Sequence, residues 1–141
     1  MLLLDAGAVL DLVSREGDGH HRLREFLYRH AESRVGTCPA ALGPICEGFE
    51  LGDAAHDVRA RVESLVQRLE MLPLDAEVAQ AYGRLAAELR RRAGVGHAAR
   101  RQGLLWVAAT ALRHGWAVLT PQPVWYIGVP LVRIVGYGQG A

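Results

Sequence analysis

Apolar and polar positions alternate in blocks along this chain, and the blocks have the lengths of strands and helices. Residues 1–4 form a short apolar run that ends in Asp5-Ala6-Gly7, which predicts a buried strand followed by a turn and a helix. Residues 35–38, 116–120 and 131–135 are further strand candidates. Short, almost wholly apolar strands are typical of a parallel sheet that is covered on both faces.

The segments between these strands carry helical periodicity, with apolar residues three or four positions apart. Residues 21–31 and 57–70 each place such residues on one face, whereas residues 40–51 are only weakly helical. Asp75 can cap the next helix, and residues 103–114 form a helix that is apolar nearly all round and ends at Gly115. The alternation predicts an α/β class with a mainly parallel sheet and helices on both faces, in a single domain spanning residues 1–141.

Composition narrows the function classes. The formal net charge of +1 gives no global reason to expect a nucleic-acid partner, so any such site must be local. Asp5 and Asp11 interrupt the opening apolar run, which is a poor signal peptide, and residues 104–112 are too few to span a bilayer. Cys38 and Cys46 are expected to be reduced thiols. We therefore expect a cytoplasmic protein with no membrane partner.

Four stretches follow one another in a familiar order: LLLDAGAVL, VGTC, LPLDAEVAQAYGRLAAELRRR and LLWVAATALRHGWAVLT. In this order they resemble the PIN-domain family, and within it the VapC toxins of bacterial toxin–antitoxin pairs. The most specific stretch is residues 107–120, whose Ala-Ala-x-Ala-Leu-x-x-Gly pattern precedes the family's last acidic motif. The resemblance implies a PIN-like three-layer domain with a central sheet of about four or five strands.

Active members of the family hold Mg²⁺ or Mn²⁺ with three or four carboxylates at the carboxyl ends of parallel strands. Several are needed because these hard ions prefer oxygen ligands, and the metal then activates the attacking water. The first acid of the family matches Asp5. Glu47 is the nearest candidate for the second acid, with Glu50 one turn further on, but the spacing to Gly48 would place Pro44 there instead.

The remaining acids of the family are replaced. Leu104 stands at the third acid position, and the last motif, Thr-x-Asn-x-x-Asp, has Gln122 and Trp125 at its Asn and Asp. Gly7 stands where the family usually has an asparagine soon after the first acid. Because leucine and tryptophan cannot ligate Mg²⁺, the resemblance implies a degenerate site and no resident cofactor. Asp5 is then a residual metal ligand or a helix N-cap.

Two other groups of residues are candidates for a function. Residues 90–101 contain five arginines and one histidine but no acid, and in the family this loop borders the mouth of the site. Arg100, Arg101 and His97 are therefore candidate phosphate contacts, whereas arginines 90–92 complement a helix C-terminus. Trp125 with Tyr126 either plugs the metal cleft or forms an exposed aromatic platform, and Asp11 is expected to be a solvated helix residue.

Three functions stay open at this point. The leading one is a catalytically degenerate, VapC-like PIN protein that forms a homodimer and retains binding of RNA or of an antitoxin-like protein. The second is an active Mg²⁺- or Mn²⁺-dependent ribonuclease toxin that uses Asp5 and Glu47. The third is a purely structural dimerisation module. RNA cleavage that is abolished by Asp5→Asn favours the second function over the others.

Overall fold

The structure is a computed structural model that describes residues 1–52, 55–94 and 101–138. Helices and strands alternate through most of it, as the hydrophobic pattern predicts. In chain order they are β1 (Leu2–Leu4), α1 (Ala6–Ser14), α2 (Asp18–Arg29), β2 (Val35–Thr37), α3 (Pro39–Glu50), α4 (His56–Val66), β3 (Glu70–Met71), α5 (Ala76–Ala93), α6 (Gln102–His114), β4 (Ala117–Thr120), a 3₁₀ helix (Pro123–Tyr126) and β5 (Ile134–Gly136). The α/β class is confirmed.

The five strands form one sheet with the order β3-β2-β1-β4-β5, and every neighbouring pair is parallel. β1 lies at its centre, where Leu3 pairs with Gly36 of β2 and with Val118 of β4. Because the strands are parallel, the residues that follow β1, β2 and β4 meet at one edge of the sheet. Asp5 is the residue that follows the central strand.

Helices cover both faces of the sheet, which gives the three layers that the family resemblance implies. Leu2 and Leu4 of β1 join a core cluster that includes residues of α1, α2 and α4, whereas Leu3 joins a second cluster with Val107 of α6. Alternate residues of a strand point to opposite faces, so this division separates the two helical layers. α5 packs on α6 through a third cluster that includes Leu85.

α6 is the central helix, as its apolar character predicts. Its buried residues are Leu105, Val107, Ala108, Ala109, Thr110 and Ala111. It ends at Gly115, which has a φ of 72° and is therefore in the left-handed region that glycine adopts without strain. None of the helices in residues 1–52, 55–94 and 101–138 is both long and apolar enough to cross a membrane.

The sequence pattern misplaces some boundaries and misses β3. α4 ends at Val66 rather than at residue 70, and Glu70 and Met71 form a two-residue edge strand paired with Gly36 and Thr37. A strand this short shows no alternation, and its pairing with β2 fixes it instead. β5 begins at Ile134 rather than at residue 131.

Candidate functional site

Asp5 lies where β1 ends and α1 begins. Its backbone is extended, with φ −80° and ψ −179°, and its side-chain Oδ1 accepts a hydrogen bond from the backbone N–H of Ala8 at 2.9 Å. This is the N-cap geometry, which satisfies one of the free amides at the start of a helix. Because the strand is central and the helix packs on the sheet, only 2% of Asp5 is exposed.

The second carboxylate oxygen of Asp5 is bound by Tyr126. The Tyr126 hydroxyl, on the 3₁₀ helix after β4, donates a hydrogen bond to Asp5 Oδ2 at 3.0 Å. Both oxygens of this carboxylate therefore have a protein partner. Tyr126 is itself 2% exposed and packs in the same core cluster as Val107 and Leu3.

Burial governs the protonation of this pair. Loss of solvent raises the pKa of Asp5 above its usual value, although hydrogen bonds from the Thr120 hydroxyl, the Ala8 amide and the Tyr126 hydroxyl act in the opposite direction. Burial and the nearby Asp5 charge also raise the pKa of Tyr126. Tyr126 thus keeps its proton and stays a hydrogen-bond donor.

Pro121 and Trp125 close over the first turn of α1. A Cβ atom added to Gly7 would lie 2.9 Å from Pro121 Cγ and 3.4 Å from Trp125 Cζ3. The asparagine that the family usually has at this place would meet both rings. Tyr126 fills the space beside Asp5, whereas Trp125 covers Gly7 and keeps 45% of its surface exposed. The replacements at Gly7 and Trp125 are thus packed against each other.

Leu104, which the sequence predicts at the position of the third acid, has apolar neighbours. It is partly buried and packs against the cluster that contains Val107 and Tyr126. Two buried threonines bind backbone carbonyls: Thr37 donates to the carbonyl of Leu4 at 3.0 Å, and Thr110 donates to that of Trp106 at 2.9 Å. Leu104 thus packs on the same apolar cluster as Tyr126, whose hydroxyl binds Asp5.

The second acid is not part of this buried group. Glu47 is exposed on α3, and so are Glu50 and Pro44, the latter lying inside the helix. Within the described parts of the chain, no group of three or more His, Cys, Asp or Glu side chains is arranged to hold a metal ion. A hard divalent ion needs several oxygen ligands. The residues around Asp5 do not fit such an ion.

The structure describes only part of the basic segment at residues 90–101. His97 and Arg100 lie outside the described residues. Arg101 precedes α6, and its guanidinium donates a hydrogen bond to the carbonyl of Ile127, just after the 3₁₀ helix. Arg101 thereby holds the loop that carries Tyr126. The predicted phosphate contacts of all three residues stay a prediction.

Asp11 has a different place from the one expected of it. It is not a freely solvated helix residue, because the hydroxyl of the buried Tyr137 donates to its Oδ2 at 2.6 Å. Its carboxylate also lies against the start of α2, where a Cβ on Gly19 would come within 2.6 Å of Asp11 Oδ1. Asp11 therefore ties the segment after β5 to α1 and α2. Because the two residues are 126 positions apart, no local sequence pattern predicts this contact.

A parallel α/β sheet with an aspartate at the end of its central strand is the arrangement expected of a PIN domain. The model of the PIN domain family matches residues 2–121. The chain belongs to this family. No curated protein sequence is significantly similar to the chain.

Solved structures share this fold over nearly the whole chain. A DNA-bound VapBC from Salmonella typhimurium is 24% identical with a TM-score of 0.78, over 96% of this chain and 97% of that chain. VapBC2 from Rickettsia felis, bound to a DNA fragment from their promoter, is 14% identical with a TM-score of 0.72, with the same coverage. FitAcB from Neisseria gonorrhoeae is 18% identical with a TM-score of 0.72, again over 96% and 97%. At these identities the likeness concerns the fold.

Proposed function

We propose that this chain is a VapC-like PIN protein that has lost metal-dependent catalysis and acts by binding a partner, in the first place an antitoxin-like protein. The observation that carries the proposal is the pair of hydrogen bonds on Asp5, one from Ala8 and one from Tyr126. They occupy both carboxylate oxygens of Asp5, the residue that matches the family's first acid.

Opening this arrangement for a metal is costly. A divalent ion at Asp5 has to displace the Tyr126 hydroxyl and to enter a region packed by Leu104 and the Tyr126 ring. The displaced hydroxyl then needs a new partner in a buried place, and leaving it unpaired costs about 1–3 kcal/mol. The ion meanwhile gains a single carboxylate. An active ribonuclease that uses Asp5 and Glu47 is the alternative, and it requires the exposed Glu47 to turn inward.

An antitoxin-like partner is supported by solved structures that share this fold. They include chains of VapBC and FitAB-type complexes, and the sequence stretches of this chain resemble VapC. A scaffold can keep its partner surface after its catalytic acids are lost, because the two depend on different residues. Homodimer formation and RNA binding by Arg100, Arg101 and His97 are secondary parts of the same proposal.

The catalytic half is tested with a structured RNA, 1 mM Mn²⁺ or Mg²⁺, and two purified proteins, the natural chain and Asp5→Asn. We expect the two to give the same background level of cleavage, because Asp5 has no metal to lose. Metal-dependent cleavage by the natural chain that disappears in Asp5→Asn would overturn this half and restore the ribonuclease alternative.

The binding half has its own measurement. Where an adjacent reading frame encodes a small antitoxin-like protein, the chain is co-expressed with that protein, and the purified pair is sized by light scattering after gel filtration. We expect a stable complex that also forms with Asp5→Asn. Separate elution of the two proteins contradicts the binding half and leaves the catalytic half standing.

A further inference from the structure

A cleft lies at the carboxyl end of α1, opposite to the end that carries Asp5. Unlike the site at Asp5, it is open and lined by arginines. Its volume is about 750 Å³, and it lies among α1, α2 and α4. α1 packs against both of the other helices, and Leu12, Val13 and Leu65 give the cleft an apolar lining. Its size falls in the range of roughly 300–1,000 Å³ that is usual for small-molecule sites.

Four arginines surround this cleft. Arg15 comes from the end of α1, Arg24 from α2, and Arg61 and Arg68 from α4 and the turn after it. The lining residues include no carboxylate. Arg15, Arg24 and Arg68 form no ion pair with any carboxylate in the described ranges 1–52, 55–94 and 101–138. The cleft therefore gathers three arginines without an ion pair in those ranges, in a chain whose net charge is only +1.

Arg61 is held in place at the base of this group. Its guanidinium donates to Asp57 Oδ2 at 2.5 Å and to the backbone carbonyl of Val13 at 2.5 Å, and its side chain is 20% exposed. A guanidinium fixed in this way loses little conformational entropy when a ligand arrives. The other three line the cleft and are exposed.

His20 and Ser64 add neutral polar groups to the same cleft. His20 is 7% exposed, and its Nδ1 lies 2.9 Å from the backbone carbonyl oxygen of Asp11. A carbonyl oxygen can only accept, so Nδ1 is the donor in this contact. The cleft thus combines cations, an apolar lining and further polar side chains.

We propose that this cleft binds a ligand in which a phosphate group is joined to a flat heterocyclic base, as in a free nucleotide or a nucleotide of an RNA strand. Arginine forks match phosphate oxygens in pairs, and a dianionic phosphate uses more than one of them. The four guanidinium groups carry four positive charges, and the carboxylate of Asp57 neutralises the charge of one of them. The apolar lining receives the base. The proposal does not depend on the state of Asp5.

The test is a titration of the full-length protein at low salt with 5′-AMP, adenosine and a five-nucleotide RNA. We expect saturable binding of 5′-AMP and none of adenosine, with an affinity that falls as salt is added. A pentanucleotide that binds much more tightly than 5′-AMP identifies RNA as the source of the phosphate. Equal or weaker binding of the pentanucleotide identifies a free nucleotide.

The double variant Arg24→Gln/Arg68→Gln is expected to weaken phosphate binding by at least about tenfold, because each lost contact is a charge-assisted hydrogen bond. Arg29→Gln/Arg59→Gln is the matched control: it removes the same charge from α2 and α4, at side chains that do not line the cleft. An equal loss in both variants overturns the proposal, since it reports net charge alone. So does binding of a glutamate-rich peptide without any binding of the phosphate probes.

Discussion

The two ends of α1 differ in charge and in exposure. At its amino end, Asp5 is 2% exposed and bound by Tyr126, while Pro121 and Trp125 lie against Gly7. At its carboxyl end, Arg15 and the fixed Arg61 border an open cleft that no carboxylate lines. One end carries a buried acid whose two oxygens are both hydrogen-bonded, and the other carries arginines around an open cleft.

This difference teaches how the chain departs from the family pattern. The catalytic edge of a parallel sheet is usually the place where open α/β folds bind ligands. Here that edge is filled, because a tyrosine, a proline and a tryptophan from the segment after β4 take the space. The positive charge that a phosphate-bearing ligand requires is instead gathered around the other end of the helix.

The largest expected effect concerns the closed end. Tyr126→Ala removes a buried ring and the donor to Asp5 Oδ2, so we expect a loss of about 3–5 kcal/mol in the free energy of unfolding, measured with urea. Tyr126→Phe keeps the ring and removes only the hydroxyl, with an expected loss of about 1–3 kcal/mol. Tyr28→Ala is the control, since Tyr28 is 85% exposed. A loss below about 1 kcal/mol for Tyr126→Ala would mean that this end is not closed.

The next effect tests the closure from the opposite side. Gly7→Ala introduces a methyl group 2.9 Å from Pro121 Cγ, and we expect it to cost about 1–3 kcal/mol of stability in the same assay. Gly83→Ala is the matched control inside α5, where an added Cβ meets no atom within 4 Å. It is expected to stabilise the protein by about 0.5–1 kcal/mol. If both variants are stabilised, Pro121 and Trp125 do not pack on Gly7.

Much of the fold could be predicted because its signals are local. The N-cap of α5 at Asp75, the glycine end of α6 and the apolar character of α6 each depend on residues within one or two turns. The role of Asp5 as a cap follows from the same kind of signal, since Asp5 directly precedes its helix. These features are confirmed.

The rest depends on contacts between distant residues. The hydrogen bond between Tyr126 and Asp5 joins positions 121 residues apart, and that between Tyr137 and Asp11 joins positions 126 apart. The sequence singled out Trp125 with Tyr126 but left open whether they plug the cleft or form an exposed platform. No periodicity reports such pairings, because they follow from the strand order of the sheet. The two-residue β3 escaped prediction for the same reason.

A smaller effect concerns the Tyr137–Asp11 contact. Tyr137→Phe removes the hydroxyl that donates to Asp11 Oδ2 at 2.6 Å, and water can reach the half-buried carboxylate to replace it. We therefore expect a loss of about 1 kcal/mol in urea unfolding, less than for Tyr126→Phe. Equal losses for Tyr126→Phe and Tyr137→Phe would mean that the hydrogen bonds to Asp5 and Asp11 do not differ in burial, contrary to the structure.

The smallest expected effect depends on pH. Burial raises the pKa of Asp5 in the folded protein above its unfolded value. Between these two pKa values the folded state keeps the proton that the unfolded state has released, so the free energy of unfolding falls as pH rises through this window and stays lower above it. Asp5→Asn cannot ionise, and its amide oxygen can still accept from Ala8.

The variant should therefore gain stability relative to the natural chain as pH is raised from about 3, below the ordinary pKa of an aspartate, to about 7. Asp75→Asn is the control, because Asp75 caps α5 through Val78 in the same way but is only half-buried. An equal gain in Asp75→Asn would report the loss of a capping carboxylate rather than the burial of Asp5. If Asp5→Asn instead loses stability on going to pH 7, ionised Asp5 is favoured by its surroundings, as it is in an acid site built for a cation, and the contrast between the two ends of α1 disappears.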